Sequence, residues 1–225
     1  MRVRKKKNGA QRIAACSELL IENIEVLKDG FGGVFAEERP VHMEIGCGKG
    51  NFACGMSAKY PDVNFIAVEK VSDVCCIALE KAKAAAEDRE RDNLRFIIGD
   101  AKNLEENVKP HSLDCIYLNF SDPWPKSGHA KRRLTHRGFL AIYEKLLKND
   151  GILRLKTDNV GLFDFTLEEM AEYGMEILWY TRDLHNTPEN EGNVMTEYEK
   201  NFSDKGTPIC SVWAKFKTEG GKENA

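Results

Sequence analysis

The sequence predicts an α/β fold: an open, twisted, mostly parallel seven-stranded sheet with helices on both faces. Three observations carry that expectation. Seven short apolar runs recur along the 225 residues, several separated by helical spacing, as in parallel strands joined by crossover helices. The first run ends in a glycine cluster, Gly46, Gly48 and Gly50, suited to a tight strand-to-helix turn. Acidic residues stand at or near the ends of four successive runs, where open α/β sheets bind their ligands. With 42% hydrophobic and 31% charged residues, a single domain of this length buries a core. That excludes disorder throughout, a coiled coil and a collagen-like fibre.

The runs follow in order. Val41–Ile45 is the first, 64–68 the second, Leu94–Ile98 the third, and 113–120 the fourth, running into a proline-containing turn. Residues 152–155, 175–180 and 211–216 complete the set. Between them, 71–89 carries Ala and Leu at helical spacing, with Ser72 as its N-cap. The stretch 135–148 is amphipathic: Phe139, Leu140, Tyr143, Leu146 and Leu147 form one apolar stripe, and Asn149-Asp150-Gly151 ends it. A third helix, 162–173, is stopped by Gly174. Residues 1–40 read as a basic arm with a leading helix, 41–217 as the folded domain and 218–225 as a flexible tail.

The turn after the first run reads Glu44-Ile45-Gly46-Cys47-Gly48-Lys49-Gly50, a GxGxG pattern with Asn51 where a dinucleotide fingerprint needs its third glycine. Glu44 precedes the glycines, Glu69 ends the second run, Asp100 follows the third and Asp122 the fourth. Such a line repels pyrophosphate. It suits a nucleoside ligand carrying an ammonium group, because carboxylates accept from an amine, from ribose hydroxyls and from an adenine amino group.

This arrangement resembles the class I S-adenosylmethionine-dependent methyltransferases, whose fold is Rossmann-like. The resemblance implies that Glu44 lies near the methionine part of the donor, that Glu69 holds the ribose and that Asp100 lies by the adenine. It adds Gly46, Gly48, Gly50, Ala101 and Asp122 to the donor site. The stretch 119–126, Asn-Phe-Ser-Asp-Pro-Trp-Pro-Lys, followed by His129-Ala130-Lys131-Arg132-Arg133, is more specific. Its prolines rigidify the turn, Trp124 offers a flat surface to a base, Asp122 an acceptor and Lys126 a cation. Together with Leu155-Lys156-Thr157-Asp158-Asn159 and Thr196-Glu197-Tyr198-Glu199, it resembles the bacterial tRNA (guanine-N7-)-methyltransferase family from 41 through 216.

Membership implies methyl transfer from S-adenosylmethionine to N7 of guanine in tRNA, at the variable-loop guanosine (m7G46). It implies Asp122 as the catalytic residue, beside donor and base. It implies that Lys126, Asp158 and Thr196, Glu197, Tyr198 and Glu199 contact RNA, and the basic cluster adds Arg132 and Arg133 to the expected substrate contacts. Two positions depart from the family pattern: Ser127-Gly128 replaces two basic residues, and Asn201 replaces the Lys before Phe202. Guanine N7 has an in-plane lone pair and needs no deprotonation, so positioning and electrostatics are the expected sources of rate. No metal is expected, since no Cys or His set has ligand spacing. An amino-group methyltransferase with an Asp/Asn-Pro-Pro-aromatic turn, a non-catalytic RNA-binding protein with a nucleoside pocket, and a dehydrogenase stand as alternatives.

The charges are segregated. The total of -3 hides six basic residues in 1–12 (Arg2, Arg4, Lys5, Lys6, Lys7, Arg12) and five in 126–137 (Lys126, Lys131, Arg132, Arg133, Arg137), neither group containing an acid. The remainder carries 22 basic against 36 acidic residues. Two such clusters suit a polyanion, and 1–12 is expected to order against tRNA. His129 and His136 are expected on the same RNA-facing surface. The seven cysteines, an odd number without a CxxC pair, read as small buried hydrophobes in a reducing cytoplasm. Glu18 and Glu22 interrupt the one apolar stretch near the start, and no run is long enough for a membrane span. Monomer and homodimer are both compatible with the sequence.

Overall fold

The computed structural model describes residues 6–86 and 92–217. Arg2, Arg4 and Lys5, the end of the helix expected over 71–89, and the tail 218–225 lie outside the described residues. The chain divides into two compact units, Met1–Lys109 and Pro110–Ala225.

In the first unit β1 (Val41–Ile45), β2 (Asn64–Glu69) and β3 (Leu94–Ile98) run parallel, with Val41 beside Asn64 and Phe65 beside Leu94. Met43, Ile45, Phe65, Ile66, Ala67, Val68, Phe96 and Ile97 are all buried, as continuous apolar runs require of parallel strands. The helices are α1 (Gly9–Ala14), α2 (Asn51–Lys59), α3 (Ser72–Ala86) and α4 (Leu104–Asn107). Ser72 is not the cap of α3 but its first residue; Val74 and Cys75 donate their amides to the Val71 carbonyl.

The N-terminal stretch is docked rather than loose. The Lys6 amide donates to Asp73 (2.8 Å), Arg12 forks onto Glu80 (2.6 Å to each oxygen), and Lys83 pairs with Glu18 (2.8 Å). This corrects the expectation that 1–12 orders only against RNA, for its described part: α1 already lies along α3. Farther on, the Ile21 amide donates to the Phe96 carbonyl (2.8 Å), covering part of the β3 edge.

The second unit holds β4 (Leu113–Asn119), β5 (Leu147–Thr157), β6 (Glu176–Thr181) and β7 (Cys210–Lys215). Its helices are α5 (Arg137–Leu146), α6 (Val160–Glu172) and α7 (Glu197–Ser203). β4 and β5 are parallel, and β7 is antiparallel to both β5 and β6. The strand order is β3-β2-β1-β4-β5-β7-β6.

The predicted stripe of α5 is buried in full, from Phe139 to Leu147. Asn149-Asp150-Gly151 does not end that helix, however. α5 stops at Leu146, Leu147 is already extended, and β5 continues through the triplet. Gly151 permits this passage, because a Cβ there would come within 2.9 Å of Leu147 and 3.0 Å of the Leu113 carbonyl. Gly174 does stop α6, at φ 82. Its amide donates to Ala171 (3.0 Å) and that of Met175 to Met170 (2.9 Å), a Schellman closure. Helices α2, α4 and α7 are too short to show in the periodicity.

All seven cysteines are buried and free. Among the described residues no helix is long and apolar enough to cross a membrane, and no group of His, Cys, Asp and Glu is arranged to hold a metal.

Candidate active site

The first unit contributes a carboxylate-lined turn. Gly46, Gly48 and Gly50 all have positive φ (80, 57 and 76), which accounts for three glycines in five residues. Gly50 also caps α2, and a Cβ there would lie 2.7 Å from that of Ala78 on α3. A Cβ at Gly48 would meet nothing within 4 Å, so the loop borders open space. Gly46 and Cys47 donate to the Val68 carbonyl (2.8 and 3.0 Å), holding the turn to the end of β2.

The acids follow the strand ends. Glu44 is buried in β1. Glu69 accepts from the amides of Gly48 (3.0 Å) and Val71 (2.8 Å), tying the glycine turn to the start of α3. Asp100 accepts from the Lys102 amide (3.0 Å), capping a 3-10 turn at Ala101–Asn103, and pairs with Lys70 (2.7 Å). Lys70 holds its carboxyl below the usual range despite the opposing effect of burial. Burial, then the nearby Glu44 carboxylate, pushes the Cys47 thiol well above its ordinary value, so Cys47 is a packing residue. Carboxylates ranged about a glycine turn that borders open space fit a nucleoside bearing a cationic tail.

The second unit contributes a strained turn. β4 leaves the sheet through Phe120 at φ 51, and Trp124 sits at φ 41. Each left-handed non-glycine residue costs about 1–2 kcal/mol, so the surroundings must hold it. The Phe120 amide donates to the Lys156 carbonyl (2.8 Å). Arg133 donates to the carbonyls of Pro123 (3.0 Å, Nε) and Trp124 (3.1 Å, Nη2), with its guanidinium 4.2 Å from the Phe165 ring centre. Asp122 is exposed on this turn and meets no partner among the described residues; Lys126 is exposed beside it.

Trp124 is not a bare platform. The Arg132 guanidinium lies 4.9 Å from its ring centre, and His129 meets it edge-on at 5.7 Å. His136 is the N-cap of α5, its Nδ1 accepting from Gly138 (3.1 Å), a role that requires that nitrogen unprotonated. Arg137 forks onto Glu169 (2.8 and 3.1 Å) and pairs with Glu172, so it is engaged within the protein. Of the basic cluster, Lys126, Lys131, Arg132 and Arg137 are exposed, and Arg137 alone of these four is paired to carboxylates among the described residues.

Asp158 follows β5 and accepts from the Tyr198 hydroxyl at 3.4 Å, a weak bond. The Tyr198 ring lies 5.1 Å from Phe120 and stacks on Phe202 at 4.4 Å, while the residue stays 45% exposed. Thr196 and Glu199 form the capping box of α7, and Glu197 is exposed. Glu199 itself is 0% exposed. It receives Lys156 (2.6 Å), His185 (2.9 Å) and Asn193 (2.7 Å), while Lys156 also reaches Asn193 (2.8 Å) and the Val194 carbonyl (3.0 Å).

This buried hub escapes a reading of the sequence. Its signal was a lone lysine, Lys156, between Leu155 and the strand end, since a lysine in a buried strand demands a partner. Tyr198 and Phe202 stack one turn apart on α7, but the contact with Phe120 had no signal, because it joins residues distant in the chain.

The strand order, the GxGxG turn and the carboxylates ending successive strands define a class I S-adenosylmethionine-dependent methyltransferase. The solved structures titled "Crystal Structure of 16S rRNA Methyltranferase KamB" and "Structure of an Antibiotic Related Methyltransferase" share the fold. Their TM-scores are 0.63 and 0.61 at 12% and 14% identity, over 84% and 85% of this chain and 94% of each of theirs. The sequence profile described as "Putative methyltransferase" matches residues 38–212.

A tRNA (guanine-N(7)-)-methyltransferase of Limosilactobacillus reuteri is 46% identical over 96% of this chain and the whole of its own length. Those of Bacillus cytotoxicus and Listeria innocua are 44% and 45% identical, over 97% and 96% of this chain and 99% of theirs. The chain belongs to the tRNA (guanine-N7-)-methyltransferase family.

Proposed function

We propose that this protein transfers the methyl group of S-adenosylmethionine to N7 of a guanine in tRNA, the variable-loop guanosine being the target. The observation that carries the reading is the exposed Asp122 on a strained, braced turn at the end of β4, in a chain with near-full-length relatives of that name. The donor supplies a methyl group on a sulfonium. Glu44, the glycine turn, Glu69, Asp100 and Ala101 bind and orient it, within a methyltransferase domain spanning 41–217.

In the transfer the N7 lone pair forms the new N–C bond, and the electrons of the breaking C–S bond go to sulfur. The base becomes cationic, so no general base is needed. Asp122 accepts from the N–H edge of guanine and stabilises the developing charge, its carboxylate unspent on any bond among the described residues. Lys126, Lys131 and Arg132 meet phosphate, and the exposed edge of Tyr198 with Asp158 and Glu197 meets the substrate. Thr196 and Glu199 serve by holding α7 in place. Seven free, buried cysteines agree with a reducing cytoplasmic setting.

The test is incubation with methyl-labelled S-adenosylmethionine and unmodified tRNA, followed by mapping of the modified nucleoside. The expected product is N7-methylguanosine at one variable-loop position. N6-methyladenosine as the main product, or donor binding without turnover, overturns the assignment.

A further inference from the structure

We propose that Arg133 is the positioning residue of the Asp122 turn, holding it through its backbone carbonyls, and that it does not bind RNA as its neighbour Arg132 does. This rests on the function proposed above. Residues 122–125 contain two prolines and so lack two of their four amide donors, leaving the turn little means of closing itself. Trp124 within it and Phe120 just before it sit at positive φ without being glycine. Such a backbone persists only where neighbours over-determine it.

The Arg133 guanidinium supplies that constraint, binding the two carbonyls that immediately follow Asp122 (3.0 and 3.1 Å). Its own placement is fixed at both ends. The guanidinium lies 4.2 Å from the ring centre of Phe165 on α6, and its amide donates to the Ala130 carbonyl (3.0 Å). A planar fork with several fixed donors matches two successive carbonyls; a lysine, a single point charge on a flexible stem, does not. Arg132, one residue away, is exposed and rests on Trp124. Two adjacent arginines thus divide the work: one orders the turn, the other faces the polyanion.

The experiment compares Arg133→Lys, which keeps charge and stem, with Arg132→Ala. In steady-state methylation of tRNA, Arg133→Lys is expected to lower kcat at saturating tRNA by about tenfold or more, with KM for tRNA within about twofold. Arg132→Ala is expected to raise KM for tRNA about fivefold while retaining most of kcat. A second readout needs no substrate. The protein contains three tryptophans, and with 5-fluorotryptophan incorporated the Trp124 resonance, assigned through Trp124→Phe, is followed by fluorine NMR. It should be sharp in the parent and broadened or split in Arg133→Lys.

An Arg133→Lys enzyme with intact kcat and raised KM makes Arg133 a phosphate contact and overturns the proposal. So does an unchanged Trp124 resonance. A parent protein that leaves tRNA guanine unmethylated overturns the proposed function instead, and the NMR comparison still decides whether Arg133 orders the turn.

Discussion

At the scale of single residues, two carboxylates have opposite surroundings. Asp122 is exposed on a fixed backbone and accepts no bond among the described residues. Asp122→Ala is expected to lower methyl transfer about 100-fold, the scale of losing one preorganised charge partner, with donor affinity by calorimetry nearly unchanged. Full activity in that variant removes Asp122 from the mechanism. Glu199 is the converse case, fully buried and saturated with donors. Burial raises its carboxyl pKa, but the Lys156 charge and the bonds from Lys156, His185 and Asn193 outweigh that and hold it below the usual range. The unfolded chain therefore takes up a proton near the ordinary Glu value of about 4.3, while the folded one stays ionised. The stabilisation is complete above that pH and is lost as pH falls toward the lower folded value. Urea midpoints measured between neutral and acid pH should drop across this window. Glu199→Gln should flatten that part of the profile and lose about 3–5 kcal/mol, because Lys156 is left buried without its counter-charge.

Elements carry the site by how they begin and end. α7 opens with a complete capping box, Thr196 to the Glu199 amide at 2.9 Å and Glu199 back to the Thr196 amide at 3.3 Å. Thr196→Ala should cost about 1 kcal/mol in denaturant unfolding. It should also loosen Tyr198 from Phe120 and raise KM for tRNA more than it lowers kcat; an unchanged KM separates α7 from RNA contact. Which element ends were legible depended on whether their cause was local. Gly174 ends α6 through a closure spanning six residues, and the reading of that stop was correct. Asn149-Asp150-Gly151 has the same local chemistry and lies within β5, but as an irregularity: pairing with β4 jumps from Leu113 beside Leu147 to Cys115 beside Ile152, and the triplet between has no partner in β4. Ser72 looked like a cap, but Glu69 accepts the Val71 amide at the start of α3.

For the whole molecule the decisive quantity is the distribution of charge, not its sum of -3. Deleting residues 1–7 should weaken tRNA binding and reduce the salt slope of log K by roughly 0.7–0.9 for each phosphate the arm no longer neutralises. Donor affinity should not change, and an unaltered slope would mean the arm makes no phosphate contact. By itself the sequence determined the number and order of the strands, though not the full extent of β5, and the glycine turn and the acids at the strand ends. Those features are local: an apolar run, a positive φ or a residue just past a strand is set by its immediate neighbours. Only the tertiary structure decided which charges are free to act. Arg133 is bound to carbonyls nine and ten residues away, the Arg137 guanidinium to Glu169 at a separation of 32, and Glu199 to Lys156 at 43. A side chain's type announces its charge, but whether that charge is already satisfied depends on partners that the chain brings near only by folding.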